Sequence, residues 1–283
     1  MQGNCISQVY MNKRIFYLLC CASLAASAQS AKDSLLVVGK DWKTEMVAKG
    51  VVWKQGHFTD LFDSEQEINY VEVDLRKLAK RVHLAADPQV LKTTQAFAEE
   101  NQALVAVNGG FFDVKNGGAV DYIKVDGNVV NTTRSASVRA NAVLNLHRKK
   151  ITIQAATPEN TELSDAENVM LSGPLLVLSG NVTHLDSNPF NANRHPRTAI
   201  AVQKNHKLVL MVVDGRNSQA HGMSLIELAK VMRWLGAKDA MNLDGGGSST
   251  LYIKGKNIVN YPSDNKKFDH EGQRKVANVI YVR

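Results

Sequence analysis

The chain has 283 residues, 44% of them hydrophobic and 22% charged, with a formal net charge of +7. That composition belongs to a globular protein and excludes extended disorder, a collagen-like repeat and a multi-span membrane protein. Lys13 and Arg14 fall in an acid-free leader, so the remainder is only mildly basic, a balance that suits anionic substrates better than a nucleic-acid partner.

Lys13-Arg14 precedes a short apolar run, Ile15 to Leu24, and then Ala26-Ser27-Ala28. This is the pattern of a secretory signal peptide cleaved after Ala28, with Met11 as an alternative start. The run is too short for a comfortable membrane span, so no stable membrane insertion is expected after cleavage. The expected location is periplasmic or extracellular. Cys20 and Cys21 raise the idea of lipidation, but neither is preceded by the small residue a lipobox uses. Cys5, Cys20 and Cys21 are the three cysteines, so the mature chain has no disulfide, thiolate metal site or Cys nucleophile.

Residues 29–45 read as a polar lead-in to a domain over 46–283. Strand alternation follows at Val47–Trp53, Ile68–Leu75 and Arg81–Ala85. Thr93 to Asn101 reads as a short helix, and Ala103–Val107 as a buried strand. Hairpin turns are expected at Asp126-Gly127-Asn128, His147–Lys150, Lys204–Lys207 and Lys254–Asn257. Ser224 to Leu235 is the clear helix: Ser224 and Glu227 form a capping box, an apolar stripe follows, and Gly236 closes it. That box accounts for Glu227 without a catalytic role. Strand and helix do not alternate, which argues against a doubly wound parallel sheet. The expected fold is α+β, a single domain of twisted, mostly antiparallel or mixed sheets packed against one or two helices.

Four segments ask for a chemical explanation. Asn108-Gly109-Gly110-Phe111-Phe112-Asp113 ends an apolar strand with two glycines, which signals a bulge or a close backbone approach. Arg194-His195-Pro196-Arg197-Thr198 starts another strand; Arg197 is either a surface residue or a clamp for phosphate or carboxylate, and His195 reads as structural or rim. Val212-Val213-Asp214-Gly215-Arg216 delivers a carboxylate at a strand end, although Asp-Gly is first a turn signal. Asn242-Leu243-Asp244-Gly245-Gly246-Gly247-Ser248-Ser249-Thr250 is the strongest. Its successive N–H groups can form an anion-binding nest, flanked by a carboxylate and hydroxyls. No Lys follows the glycines, so it is not a Walker loop. The histidines show no ligand spacing, and no His-Glu-x-x-His or Gly-x-Ser-x-Gly motif occurs. Asn131-Thr132-Thr133 and Asn181-Val182-Thr183 match the glycosylation sequon.

Taken together, these segments resemble the phosphodiester glycosidase family. The matching stretches are Val107–Phe112, Ser172-Gly173-Pro174, Pro196–Ile200, Asp214-Gly215-Arg216, Gly222–Leu235, Gly236–Thr250 and Arg274–Ile280, in the family's order over about residues 70–283. The resemblance implies cleavage of a sugar C1–O bond whose leaving group is a phosphate ester, on a small-molecule or glycan phosphodiester. It implies Asp214 and Asp244 as the carboxylates flanking the anomeric carbon, with roles the sequence does not divide. Arg197 and Arg274 would clamp the phosphate with the Gly245–Gly247 backbone and Ser248. Asn108, Gly109, Thr198 and Arg216 would complete substrate binding. No cofactor or metal is expected. Two rivals stand: a metal-assisted phosphodiesterase with a divalent cation on Asp214 and Asp244, and a surface module that binds glycan or sugar phosphate without turnover.

Overall fold

The computed structural model describes residues 29–134 and 139–283. The leader and its cleavage site lie outside the described residues. Residues 29–38 are helical where an irregular lead-in was expected. The stretch holds neither Pro nor Gly before Gly39, whose N–H closes on Leu35 O, and Gln29 donates to Asp33 one turn away. These residues belong to a compact unit separate from Asp41–Arg283, which qualifies the single-domain expectation.

From Asp41 onward the chain is built from antiparallel strands, and every pairing among the described residues is antiparallel. The largest sheet orders Lys43–Ala48, Val51–Phe58, Gln66–Asp74, Lys207–Val213, Arg197–Gln203, Ala237–Asn242, Leu175–Leu178 and Asn181–Val182. A second orders Lys150–Ala155, Ala142–His147, Asn168–Ser172, Ile123–Val125 and Asn128–Asn131. A third orders Asn257–Ile258, Leu251–Ile253, Val105–Asn108, Asn278–Val282 and Val82–Ala86. Val71, Leu210 and Ile200 of the first, Leu144 and Met170 of the second, and Val107, Leu251 and Ile280 of the third share one hydrophobic core. Burial of this apolar surface is what holds three sheets together without a disulfide.

Few helices accompany them. Leu225–Trp234 starts at the Ser224–Glu227 capping box and buries Leu225, Leu228, Ala229, Val231 and Met232. It packs on Leu175–Leu178 and Ala237–Asn242. Thr94–Glu100 is capped by the Thr93 side chain. The hairpin at Asp126–Gly127 takes left-handed backbone at both positions, the conformation a two-residue turn requires.

The topology decides where the site lies. Lys207–Val213 and Ala237–Asn242 run in the same direction on either side of Arg197–Gln203, which runs against both. Asp214 and Asp244 therefore leave the sheet at one end, two strand spacings or about 10 Å apart along the sheet. Arg197 and Thr198 enter at that same end.

Candidate active site

Asp214 follows its strand directly and is 1% exposed. Its Oδ1 accepts from Asn260 Nδ2 and from the Tyr261 N–H, each at 2.9 Å. Burial pushes its pKa up to about 7, with the nearby Glu67 charge adding to the rise. The donors Asn260, Tyr261 and Asn69 pull the other way. Asn69 is oriented by Trp53, whose Nε1 donates to its Oδ1 at 3.1 Å; its amide nitrogen acts on the nearby carboxylate, though neither it nor Asp214 Oδ2 completes a hydrogen bond.

Asp244 is partly exposed. Its N–H donates to Gly109 O at 2.9 Å, and its own carbonyl accepts from Asn108 Nδ2 at 2.7 Å. Burial raises its pKa too; the Ser248 hydroxyl, the Gly245 N–H and the charges of Arg274 and Arg139 oppose the rise. Two carboxylates that resist ionisation at one end of a sheet are a candidate acid–base pair.

The glycine turn follows Asp244 directly. Gly246–Ser248 forms a single 3-10 turn, and Gly246 has left-handed backbone. A Cβ on Gly246 would come 3.0 Å from Arg216 Nη2, and one on Gly247 would collide with Asp264 Oδ1. The bare backbone is thus what lets charged groups lie directly on the turn. Arg216 is exposed, holds a left-handed φ of 64°, and makes no hydrogen bond among the described residues. A strained, unpartnered cation beside a glycine turn fits ligand binding. Arg274 reaches the same turn from the other side, paired with Asp264.

Other residues singled out in the sequence have internal roles. Arg197 is 2% exposed; its Nε donates to Met223 O, and its Nη2 to Phe190 O and Asn193 O. Burial and the charge of Arg216 lower its pKa to about 10. Nε and Nη2 are spent on these carbonyls, so Arg197 braces the site, while Nη1 makes no hydrogen bond among the described residues. Asn108 is fully buried: Oδ1 accepts from Thr198 Oγ1 and the Thr250 N–H, while Nδ2 donates to Asp244 O. Asn108 and Thr198 thereby fasten the first and third sheets below the turn. Gly109 lies tight against side chains, since a Cβ there would collide with Asn278 Oδ1 and come 2.8 Å from Met170 Cε. Glu227 serves the capping box and a bidentate pair with Arg194. Burial, Arg197 and Arg216 lower the pKa of His195 and favour its neutral form.

Sequence reasoning missed Glu67, Asn69, Asn260, Tyr261 and Asp264. None stands in a glycine-rich motif, and three of them arrive from one loop near the C-terminus. Among the described residues, no three His, Cys, Asp or Glu side chains come together to hold a metal ion.

The fold and this end of the sheet define an antiparallel β protein with paired carboxylates on an arginine-flanked glycine turn. The phosphodiester glycosidase family profile matches residues 101–283, and the chain belongs to that family. It is 31% identical over 212 residues to N-acetylglucosamine-1-phosphodiester alpha-N-acetylglucosaminidase of Bos taurus, covering 67% of this chain and 38% of the relative. The Homo sapiens protein of that name is 30% identical, with 67% and 39% covered. The chain thus spans well under half the length of these curated relatives. Among solved structures, the zebrafish catalytic domain of that name, auto-inhibited by its pro-peptide, superposes with a TM-score of 0.67 at 24% identity, over 82% of each chain. A hypothetical protein from Synechocystis gives 0.69 at 18% identity, over 86% of this chain and 64% of its own. These two likenesses establish the fold.

Proposed function

We propose that this chain hydrolyses the C1–O bond of a sugar 1-phosphodiester: water adds to C1, and the phosphomonoester leaves. The observation that carries this reading is the convergence of Asp214, Asp244 and the arginine-flanked Gly245–Ser248 turn at one sheet end, in a chain of this family. A phosphomonoester is a weakly basic leaving group and needs little acid assistance. The site's work is to hold the anion and to stabilise positive charge on the sugar ring. Arg216 and Arg274, with the Gly247 N–H and Ser248, bind the phosphate, since the Gly246 and Ser248 N–H groups already donate to Pro196 O and Gly245 O. Asp244, the more exposed carboxylate, faces the sugar. Asp214, which holds its proton to near neutrality, governs protonation from behind it. Asn108, Gly109, Thr198 and Arg197 keep the turn in place. The names of the animal relatives make N-acetylglucosamine the first sugar to test.

The leader pattern supports export to the periplasm or beyond the cell. No helix among the described residues is long and apolar enough to cross a membrane.

The test is hydrolysis of a panel of sugar 1-phosphodiesters, UDP-N-acetylglucosamine included, in ¹⁸O water with and without EDTA. Label in the free sugar and none in the phosphomonoester supports C1–O cleavage. Label in a phosphate product, lost with EDTA, replaces it with metal-assisted phosphodiester cleavage. Tight binding without turnover leaves the binding-module reading.

A further inference from the structure

The chain between Asn257–Ile258 and Lys275–Val276 is an irregular segment closed by its own side chains. The Tyr261 ring stacks between Phe268 at 3.9 Å and His270 at 4.6 Å. Asn265 donates to Asp269 at 2.8 Å, and His270 Nδ1 lies 2.8 Å from Asn260 O. Such self-packed surface loops are frequently functional. This one is rooted in the site, because Asn260 and Tyr261 both donate to Asp214 Oδ1. Its outward end delivers Asp264.

Asp264 forms a bidentate pair with Arg274, Oδ2 to Nε at 2.8 Å and Oδ1 to Nη2 at 2.7 Å. The pair lies against Gly247, where a Cβ would collide with Asp264 Oδ1 and come 2.6 Å from Arg274 Nη2. One residue away, Arg216 lies over Gly246 without a hydrogen-bond partner among the described residues. A carboxylate held by a guanidinium fork on a bare glycine backbone makes the contacts a phosphate ester would make, since the fork fits both anions. Both partners are about one-third exposed, at 33% and 32%. At that exposure water and other anions reach the fork, so a second anion can compete for it.

From this geometry we infer that Asp264 is an internal ligand of the phosphate subsite, displaced from Arg274 when the substrate's phosphate binds. The inference rests on the phosphodiester reading and names a residue that sets affinity within that site. Displacement would free the fork of Arg274 for the incoming phosphate and turn Asp264 out toward solvent. Asp264 would then disfavour ligands of low negative charge, which cannot repay the loss of the pair.

The test is calorimetric titration of the intact protein with inorganic phosphate and with a phosphomonoester, in the parent, Asp264→Asn, Asp264→Ser and Arg274→Gln. Removing the competing carboxylate should tighten phosphate binding about five- to tenfold in both Asp264 variants. Arg274→Gln should weaken it, and Asp264→Asn combined with Arg274→Gln should show no gain. Thermal melts of each variant identify any loss of fold. Unchanged or weaker phosphate binding in well-folded Asp264→Asn and Asp264→Ser overturns the inference, as does absence of phosphate binding in all five proteins. This assay needs no turnover, so its result is separate from the ¹⁸O experiment: C1–O cleavage with no gain on Asp264 replacement sinks only the internal ligand.

Discussion

Asn260 donates one hydrogen bond to Asp214 Oδ1 at 2.9 Å and a second, from the same nitrogen, to Ser249 O at 3.0 Å. One amide thus couples a strand-end carboxylate to the end of the glycine turn. Its Oδ1 accepts from the Leu251 N–H, which fixes which way the amide faces. Replacing Asn260 by Ala removes a donor that favours the charged form of Asp214. The carboxyl pKa should therefore rise above its value of about 7. A carbon-13 titration of the Asp214 carboxyl in parent and variant reads this directly; an unchanged or lower value would show that the amide only ties backbone.

The raised pKa of Asp214 also makes stability depend on pH. The folded form binds this proton up to about pH 7, whereas an unfolded Asp releases it near 4. Between those values the folded state holds more protons, so this group's contribution to stability declines as pH rises through the window. Asp214→Asn does not ionise and escapes that decline. Its melting temperature relative to the parent should climb between pH 4 and pH 8, and a gap constant with pH would contradict the assignment.

Arg197 and Arg216 should separate cleanly. Arg197→Met strips hydrogen bonds from three carbonyls in a buried place, and should cost about 2–5 kcal/mol of stability. Arg216→Gln touches an exposed side chain and should change stability by no more than about 0.5 kcal/mol. Its effect should appear in KM for the phosphodiester. Denaturant melts and steady-state kinetics on both variants check the division, and a stable Arg197→Met with only a raised KM would restore Arg197 as a clamp.

Gly109→Ala should destabilise the fold. The added methyl would collide with Asn278 Oδ1 and come 2.8 Å from Met170 Cε in a packed interior. Overpacking of this kind costs about 1–3 kcal/mol. The fall in melting temperature measures it, and an unchanged melting temperature would show that the packing there gives way.

Asp244→Asn keeps the shape of the turn and removes the substrate-facing carboxylate. Hydrolysis should fall by about 10²–10⁴-fold, with phosphate affinity retained because the arginines remain. Matching rates in variant and parent would exclude Asp244 from the chemistry.

Much of this could be read from residue order. The helix behind Ser224, the hairpin at Asp126–Gly127 and the glycine turn after Asp244 are each specified within a few residues, because caps, left-handed turns and bare backbone are local requirements. The family motifs are local as well, and they brought Asp214, Asp244 and the turn into one expectation. Only the tertiary structure decided what each polar side chain does. Arg197 and Asn108 look like ligand groups in the sequence, yet Met223, Phe190 and Asn193 occupy Nε and Nη2 of the one, and Thr198, Thr250 and Asp244 bond the amide of the other. Asp264 and Asn260 carry no motif, yet the loop brings them onto Arg274 and Asp214. A hydrogen bond depends on distance between atoms that the chain brings together from far apart, and residue order alone does not specify that distance.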